Sequence, residues 1–141
     1  MKIFICGSMY FAKEMLEVQK KLAEMGHLTE VPCDTQEFVN NSNMTTDNHE
    51  ENYQWCIEND IIRKSFDSIA EGDAILVLNY PKNGIDGYVG ASALMEIGLA
   101  YFLNKKVFLL YPPPDVKKVK STHEILIMQP IILNGNLDLI K

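Results

Sequence analysis

Glu71-Gly72-Asp73-Ala74-Ile75-Leu76-Val77-Leu78-Asn79 is the stretch on which the fold turns. Gly72 and Asp73 make a turn, and the residues that follow carry no charge until Lys82. A strand with one wet face alternates apolar and polar residues. An unbroken apolar run of this length is covered on both faces, as strands of parallel sheets are when helices pack above and below them. Lys2-Ile3-Phe4-Ile5-Cys6, ended by Gly7-Ser8, and Val107-Phe108-Leu109-Leu110-Tyr111, ended by Pro112-Pro113-Pro114, have the same character. They flank the central run as two more buried strands.

Between these strands the apolar period changes. Phe11, Met15, Val18, Leu22 and Met25 recur at helical spacing with Lys13, Glu17, Lys20, Lys21 and Glu24 between them, and Gly26 closes the helix. His27 to Pro32 can form a second strand. From Asp34 to Glu51 the chain is polar and Asn-rich without an apolar period, which predicts a long loop and a candidate lid. A second helix is expected over Tyr53 to Ile69, carrying Trp55, Ile62, Phe66 and Ile69, and a third over Ala91 to Leu103. Ser121 with Glu124 has the spacing of a capping box for a short fourth helix, and Pro130 to Leu133 can add an edge strand.

Strands alternating with helices imply right-handed βαβ crossovers, hence an α/β fold: a doubly wound parallel sheet of four or five strands with helices on both faces. Residues 1–141 read as one domain, with no repeat and no internal boundary. At this size folding buries roughly 68–70% of the unfolded chain's surface, so neither disulfides nor structural metals are required.

Composition excludes several function classes. Thirteen Lys and Arg against nineteen Asp and Glu give a formal net charge of -6, the wrong sign for binding polymeric nucleic acid or anionic membranes. No apolar run approaches the roughly 18 residues that span a bilayer, and the first residues are too short a run for a signal-peptide core. A cytoplasmic protein is expected. Cys6, Cys33 and Cys56 are odd in number with no CxxC, and His27, His49 and His123 are scattered. Reduced thiols, no metal site and no cofactor follow.

In a doubly wound sheet ligands bind outside the carboxyl ends of the strands. Attention therefore falls on Gly7 to Tyr10, on Asn79 to Gly90 with the start of the following helix, and on Tyr111 onward. Gly7-Ser8 is not a GxGxxG fingerprint, and Gly84-Ile85-Asp86-Gly87 lacks the GK[ST] of a P-loop. Both turns can still cradle an anion or a sugar hydroxyl with backbone N–H groups, or can simply need glycine for tight turns. Glu96 is the single ionisable acid or base between Asp86 and Lys105, apart from tyrosines, in Ala91-Ser92-Ala93-Leu94-Met95-Glu96-Ile97-Gly98-Leu99-Ala100-Tyr101. A helix apolar nearly all round packs on the sheet and on something else, such as a second subunit. A lone carboxylate there must be paired, protonated or aimed into a cleft. Near the helix start the dipole would help to keep it ionised, as a nucleophile requires.

These residues resemble the nucleoside 2-deoxyribosyltransferase superfamily, which includes the deoxynucleoside 5′-monophosphate N-glycosidases. The likeness lies in Lys2-Ile3-Phe4-Ile5-Cys6-Gly7-Ser8, in Gly72-Asp73-Ala74-Ile75-Leu76-Val77, and in Met95 to Tyr101 followed by Lys105-Lys106-Val107-Phe108-Leu109-Leu110. It implies a flavodoxin-like sheet and a small-molecule nucleoside or nucleotide as substrate. Glu96 would attack the anomeric carbon and displace the base, giving a glycosyl-enzyme that a second base or water resolves. The resemblance also implies that Gly7 and Ser8 hold the sugar or its 5′-phosphate and that Gly90 and Ser92 help to bind the 5′ group. By the same likeness Ser121 reaches the neighbouring subunit's site in a homo-oligomer, its alternative being a plain helix cap.

Three positions depart from the family. Its first-strand Tyr is Phe4, its phosphate-binding Arg falls at Tyr10, and its catalytic Asp falls at Ser65, with Asp67 two residues on and Asp60 or His49 as further candidates. The missing Arg tilts the expected substrate away from monophosphates. The missing groups also leave open a non-catalytic nucleotide-binding or signalling module on the same fold. A redox flavodoxin or a response regulator is a more distant option, and the acidic cluster a response regulator needs after the first strand is absent.

Overall fold

β3 (Ala74–Leu78) is buried at every residue and has parallel neighbours on both sides. Ile75 lies opposite Phe4 of β1 (Lys2–Gly7) and opposite Val107 of β4 (Lys106–Leu109). Short strands complete the edges: β2 (Leu28–Glu30) beside β1, and β5 (Ile131–Ile132) beside β4. The sheet is all-parallel in the order β2-β1-β3-β4-β5, the flavodoxin-like winding, whose topological switch point falls between β1 and β3. The chain was determined as a computed structural model that describes residues 1–41 and 49–141.

Period-2 alternation divides the core between the two faces. Ile3, Ile5, Leu76, Leu78 and Phe108 point one way and pack on Met15, Val18 and Leu22 of α1 (Ala12–Glu24). Phe4, Cys6, Ile75, Val77, Val107 and Leu109 point the other way. They meet Ile69 of α4 (Ile61–Glu71), Ala93, Ile97 and Ala100 of α5 (Ala91–Phe102), and Ile125 of α6 (Thr122–Ile127). Phe4, where the family pattern has Tyr, is therefore a core residue.

Two expectations along the chain are corrected. The segment from Asp34 to Glu51 is not one long loop. It contains α2 (Thr35–Asn40), and α3 (His49–Glu58) starts before its end. Six residues are too few to display an apolar period; α2 is held by packing on α1, by the Thr35 hydroxyl donating to the Pro32 carbonyl at 2.7 Å, and by Gln36 Nε2 donating to Asn40 Oδ1 at 2.9 Å. The rest of the proposed lid, residues 42–48, lies outside the described residues. The second correction is the helix expected from Tyr53 to Ile69, which is broken in two at Asn59 and Asp60. Asn59 Nδ2 donates to the Trp55 carbonyl at 2.9 Å, and Asp60 takes a left-handed conformation with φ 49°, one that short polar side chains tolerate.

The loops at the carboxyl edge are firmly placed. Gly7 has φ 148°, and a Cβ on it would come within 2.9 Å of the Leu78 carbonyl oxygen, so this turn needs glycine. Asn79 is fully buried: its Nδ2 donates to the Tyr111 carbonyl at 2.8 Å, and its Oδ1 accepts from the Tyr111 amide at 2.9 Å. Gly87, at φ 67°, lies so close to Pro112 that a Cβ would collide with the Pro112 carbonyl. These contacts tie the Pro81–Gly90 loop to the end of β4.

Candidate active site

α5 buries Ala93, Glu96, Ile97 and Ala100. Their spacing is the i, i+3, i+4, i+7 stripe that turns toward a core, so Glu96 stands where helix geometry would put an aliphatic residue. It faces Cys6 on the underside of β1. The Cys6 thiol hydrogen-bonds the Glu96 carboxylate, and burial together with that carboxylate pushes the thiol's pKa well up. Among the described residues no Lys or Arg forms an ion pair with Glu96. Among the described residues Glu96 thus lacks the internal ion pair that would have given it a purely architectural role.

Only 7% of Glu96 is exposed, and that fraction opens into a cavity of about 290 Å³ beyond the carboxyl ends of β1 and β3, at the switch point. Gly7 and Ser8 line it from β1, Pro32 and Asp34 from the end of β2, Ser65 and Phe66 from α4, and Gly90 to Glu96 from the loop and first turns of α5. Its volume is at the low end of the roughly 300–1,000 Å³ of small-ligand sites.

The electrostatics differ from the sequence expectation in one respect. Glu96 is raised from an ordinary 4.5 to about 7, chiefly by burial, with the negative charge of Asp34 acting in the same direction and the Cys6 thiol against both. It is the sixth residue of α5, whereas the dipole's influence fades beyond the first turn. Desolvation thus outweighs the dipole, and near neutral pH the group is divided between carboxylate and acid.

Among the residues singled out in the sequence, Gly7, Ser8, Ser65, Gly90 and Ser92 line the cavity with Glu96. Three do not. Tyr10 is 70% exposed; its amide donates to Ser8 Oγ at 3.3 Å and its ring centroid lies 5.6 Å from Lys82 Nζ, but its side chain does not line the cavity. Asp67 is exposed on the outer face of α4, two residues from Ser65 and turned away from the cavity. Ser121 lies outside this cavity and makes no side-chain capping hydrogen bond at α6, so the predicted capping box does not form. Asp60 instead accepts from Arg63 at 3.1 Å, and the side chain of His49 is outside the described residues.

Two charged residues that complete the site had not been singled out. Lys82 reaches over the Gly7–Ser8 turn, donating to Ser8 Oγ at 2.9 Å, and its Nζ sits 5.2 Å from the Tyr88 ring centroid. No carboxylate pairs with it among the described residues. Asp34 is 3% exposed, its Oδ1 has no hydrogen-bond partner, and burial raises its pKa, with Glu37 adding to the effect. The signal for both was positional, since each follows the carboxyl end of a strand.

No family model and no curated protein matches the chain. Two solved structures are similar to it. A CMP N-glycosidase, BcmB, from Clostridium botulinum is similar with 19% identity and a TM-score of 0.48, over 95% of this chain and 90% of that one. A 2-deoxyribosyltransferase from Leishmania mexicana is similar with 21% identity and a TM-score of 0.48, over 84% of this chain and 71% of that one. Both neighbours are of the nucleoside 2-deoxyribosyltransferase superfamily. Among the described residues no helix is long and apolar enough to cross a membrane, and no cluster of His, Cys, Asp and Glu is arranged to hold a metal ion.

A carboxyl group near neutrality, a second buried carboxyl and one unpaired cation thus surround a cavity the size of a small polar molecule. The cation comes from the loop after β3 and the two carboxyls from the end of β2 and from α5.

Proposed function

We propose that the protein cleaves or exchanges the N-glycosidic bond of a nucleoside or nucleotide, with Glu96 as the nucleophile. The observation that supports this reading is the position of Glu96, a buried carboxyl that lines the cavity and, among the described residues, forms no ion pair with a Lys or Arg. In its ionised form the carboxylate lies beside the anomeric carbon and stabilises the oxocarbenium-like transition state before bonding to it. The glycosyl-enzyme is then resolved by water, giving hydrolysis, or by a second base, giving exchange.

The 5′ end of the substrate lies at the Gly7–Ser8 turn and the Gly90–Ser92 start of α5. Lys82 supplies there the positive charge that Tyr10 cannot, and this favours a 5′-monophosphate over an uncharged nucleoside. The enzyme works in the cytoplasm as a homo-oligomer in which Ser121 reaches a neighbouring site. Met95, Tyr101 and Phe102, exposed along α5, give the apolar face for such a contact. Small molecules, rather than nucleic-acid polymers or membranes, are its partners.

The test is a panel of nucleosides and 5′-mononucleotides, ribo and deoxy, with and without an acceptor base. Release of free base or formation of a new nucleoside by the wild-type chain, lost in Glu96→Gln, is the expected result. Ligand-induced thermal stabilisation without turnover across the panel would overturn the enzymatic reading in favour of a nucleotide-binding module.

A further inference from the structure

Asp34 is the least satisfied polar side chain of the site. It stands in the N-cap position of α2, where an aspartate usually accepts a hydrogen bond from the first turn of its helix. Here no side-chain capping bond is made. Its Oδ1 is buried without a partner, and the residue lines the same cavity as Glu96, on which its charge acts. An unpartnered carboxyl oxygen carries a desolvation cost that is relieved when a ligand in the cavity bonds it.

We propose that Asp34 is the catalytic acid that protonates the departing base while Glu96 attacks. This rests on the reading of Glu96 as nucleophile. As a lone pair of the Glu96 carboxylate forms the bond to the anomeric carbon, the electron pair of the C–N bond passes to the base. The Asp34 carboxyl gives its proton to that base and becomes a carboxylate. In the second half, Asp34 takes the proton of the attacking water, or of the acceptor base's N–H, as the new bond to the anomeric carbon releases Glu96. Both carboxyls then return to their starting states, and no further reactant is needed.

The surroundings of Asp34 suit this role. Glu37 of α2 and Glu96 of α5 are the carboxylates that act with it, the thiols of Cys33 and Cys56 lie beside it, and Lys64 acts on Cys33. Lys82 is the cation of the cavity itself. Two buried carboxyls in one low-dielectric site resist ionising together, so over an intermediate pH range the pair holds a single proton. In the resting pair Glu96, raised to about 7, holds that proton beside the negative charge of Asp34; the reacting form is the one in which the proton has passed to Asp34, leaving Glu96 ionised as nucleophile and Asp34 as acid. The pH profile of kcat/KM should be bell-shaped: rate falls at low pH when both carboxyls are protonated, and at high pH when the shared proton is gone.

The test is Asp34→Asn, which keeps shape and removes the proton. Two substrates are compared, a nucleoside 5′-monophosphate and the matching sugar phosphate bearing 4-nitrophenolate, which leaves without protonation. Expected is a kcat loss of about 10²–10³-fold on the nucleotide, less than about tenfold on the nitrophenyl substrate, and disappearance of the alkaline limb. Equal losses on both substrates, or an unchanged alkaline limb, would overturn the proposal while leaving Glu96 as nucleophile. A wild-type chain inert toward both would overturn the nucleophile and this proposal together. A measurement without substrate stands beside these: in Asp34→Asn the titration of Glu96, followed through the pH dependence of stability, should move to lower pH. No movement would show that the two carboxyls do not share a proton.

Discussion

Glu96 links stability to pH in a way that can be measured before any substrate is known. Its pKa in the folded chain is about 7 against an ordinary 4.5. At about 1.36 kcal/mol for each pH unit, that displacement amounts to about 3 kcal/mol. The sign follows from linkage: the folded state holds the proton more tightly than the unfolded state, so between these two values the native chain binds more protons. The stability associated with the neutral carboxyl is therefore fully present below about pH 4.5 and lost as pH rises through about 7. Glu96→Gln removes the ionisation. A buried amide carries its own constant cost, so the informative quantity is the change between pH 5 and pH 8, not the absolute difference. Wild type should lose about 3 kcal/mol over that range relative to the variant, roughly 10 °C in Tm for a chain of this size. Urea unfolding followed by the fluorescence of Trp55, the single tryptophan, gives the measurement. Parallel stability curves for the two proteins across the range would refute the claim that burial governs this carboxyl.

Other perturbations separate the roles assigned here. Lys82→Ala should raise KM for a 5′-mononucleotide about 10- to 100-fold, the worth of a hydrogen bond to a charged group, and leave KM for the corresponding nucleoside within about twofold; steady-state kinetics on the matched pair decide it. Ser121→Ala should change stability by less than about 0.5 kcal/mol, because its hydroxyl caps nothing in this chain. Activity should nonetheless fall when the oligomer forms, whereas a fully active variant would remove Ser121 from the site. Gly87→Ala should destabilise by more than the about 1–2 kcal/mol of a left-handed alanine, since the methyl also collides with the Pro112 carbonyl; chemical denaturation reads this directly.

How much of this was legible in the sequence depends on the range over which each signal acts. The sheet was legible because buried parallel strands must be continuously apolar, so Ile75 to Leu78 and Phe108 to Leu109 announced themselves one residue at a time. α2 was not, because its stability comes from packing on α1 and from the bonds of Thr35 and Gln36, none of which leaves an apolar period. The break at Asp60 was hidden for a similar reason: a single left-handed residue between two amphipathic stretches barely interrupts their pattern. Within the site, Glu96 stood out because it was the lone charge on an apolar helix. Asp34 and Lys82 were each one charge among many in polar loops. What distinguishes them is the company supplied by distant segments, a cavity shared with Glu96 of α5 for Asp34 and Ser8 with Tyr88 for Lys82. The three positions at which the chain departs from the family it resembles explain why this matters. The acid missing at Ser65 and the cation missing at Tyr10 have counterparts of the same charge at the same cavity, reached from different strands. If the chemistry requires a charge at a place rather than a residue at a position, Asp34 and Lys82 are sufficient replacements. Restoring Asp at Ser65 in the Asp34→Asn chain should then recover part of the lost turnover of the nucleotide.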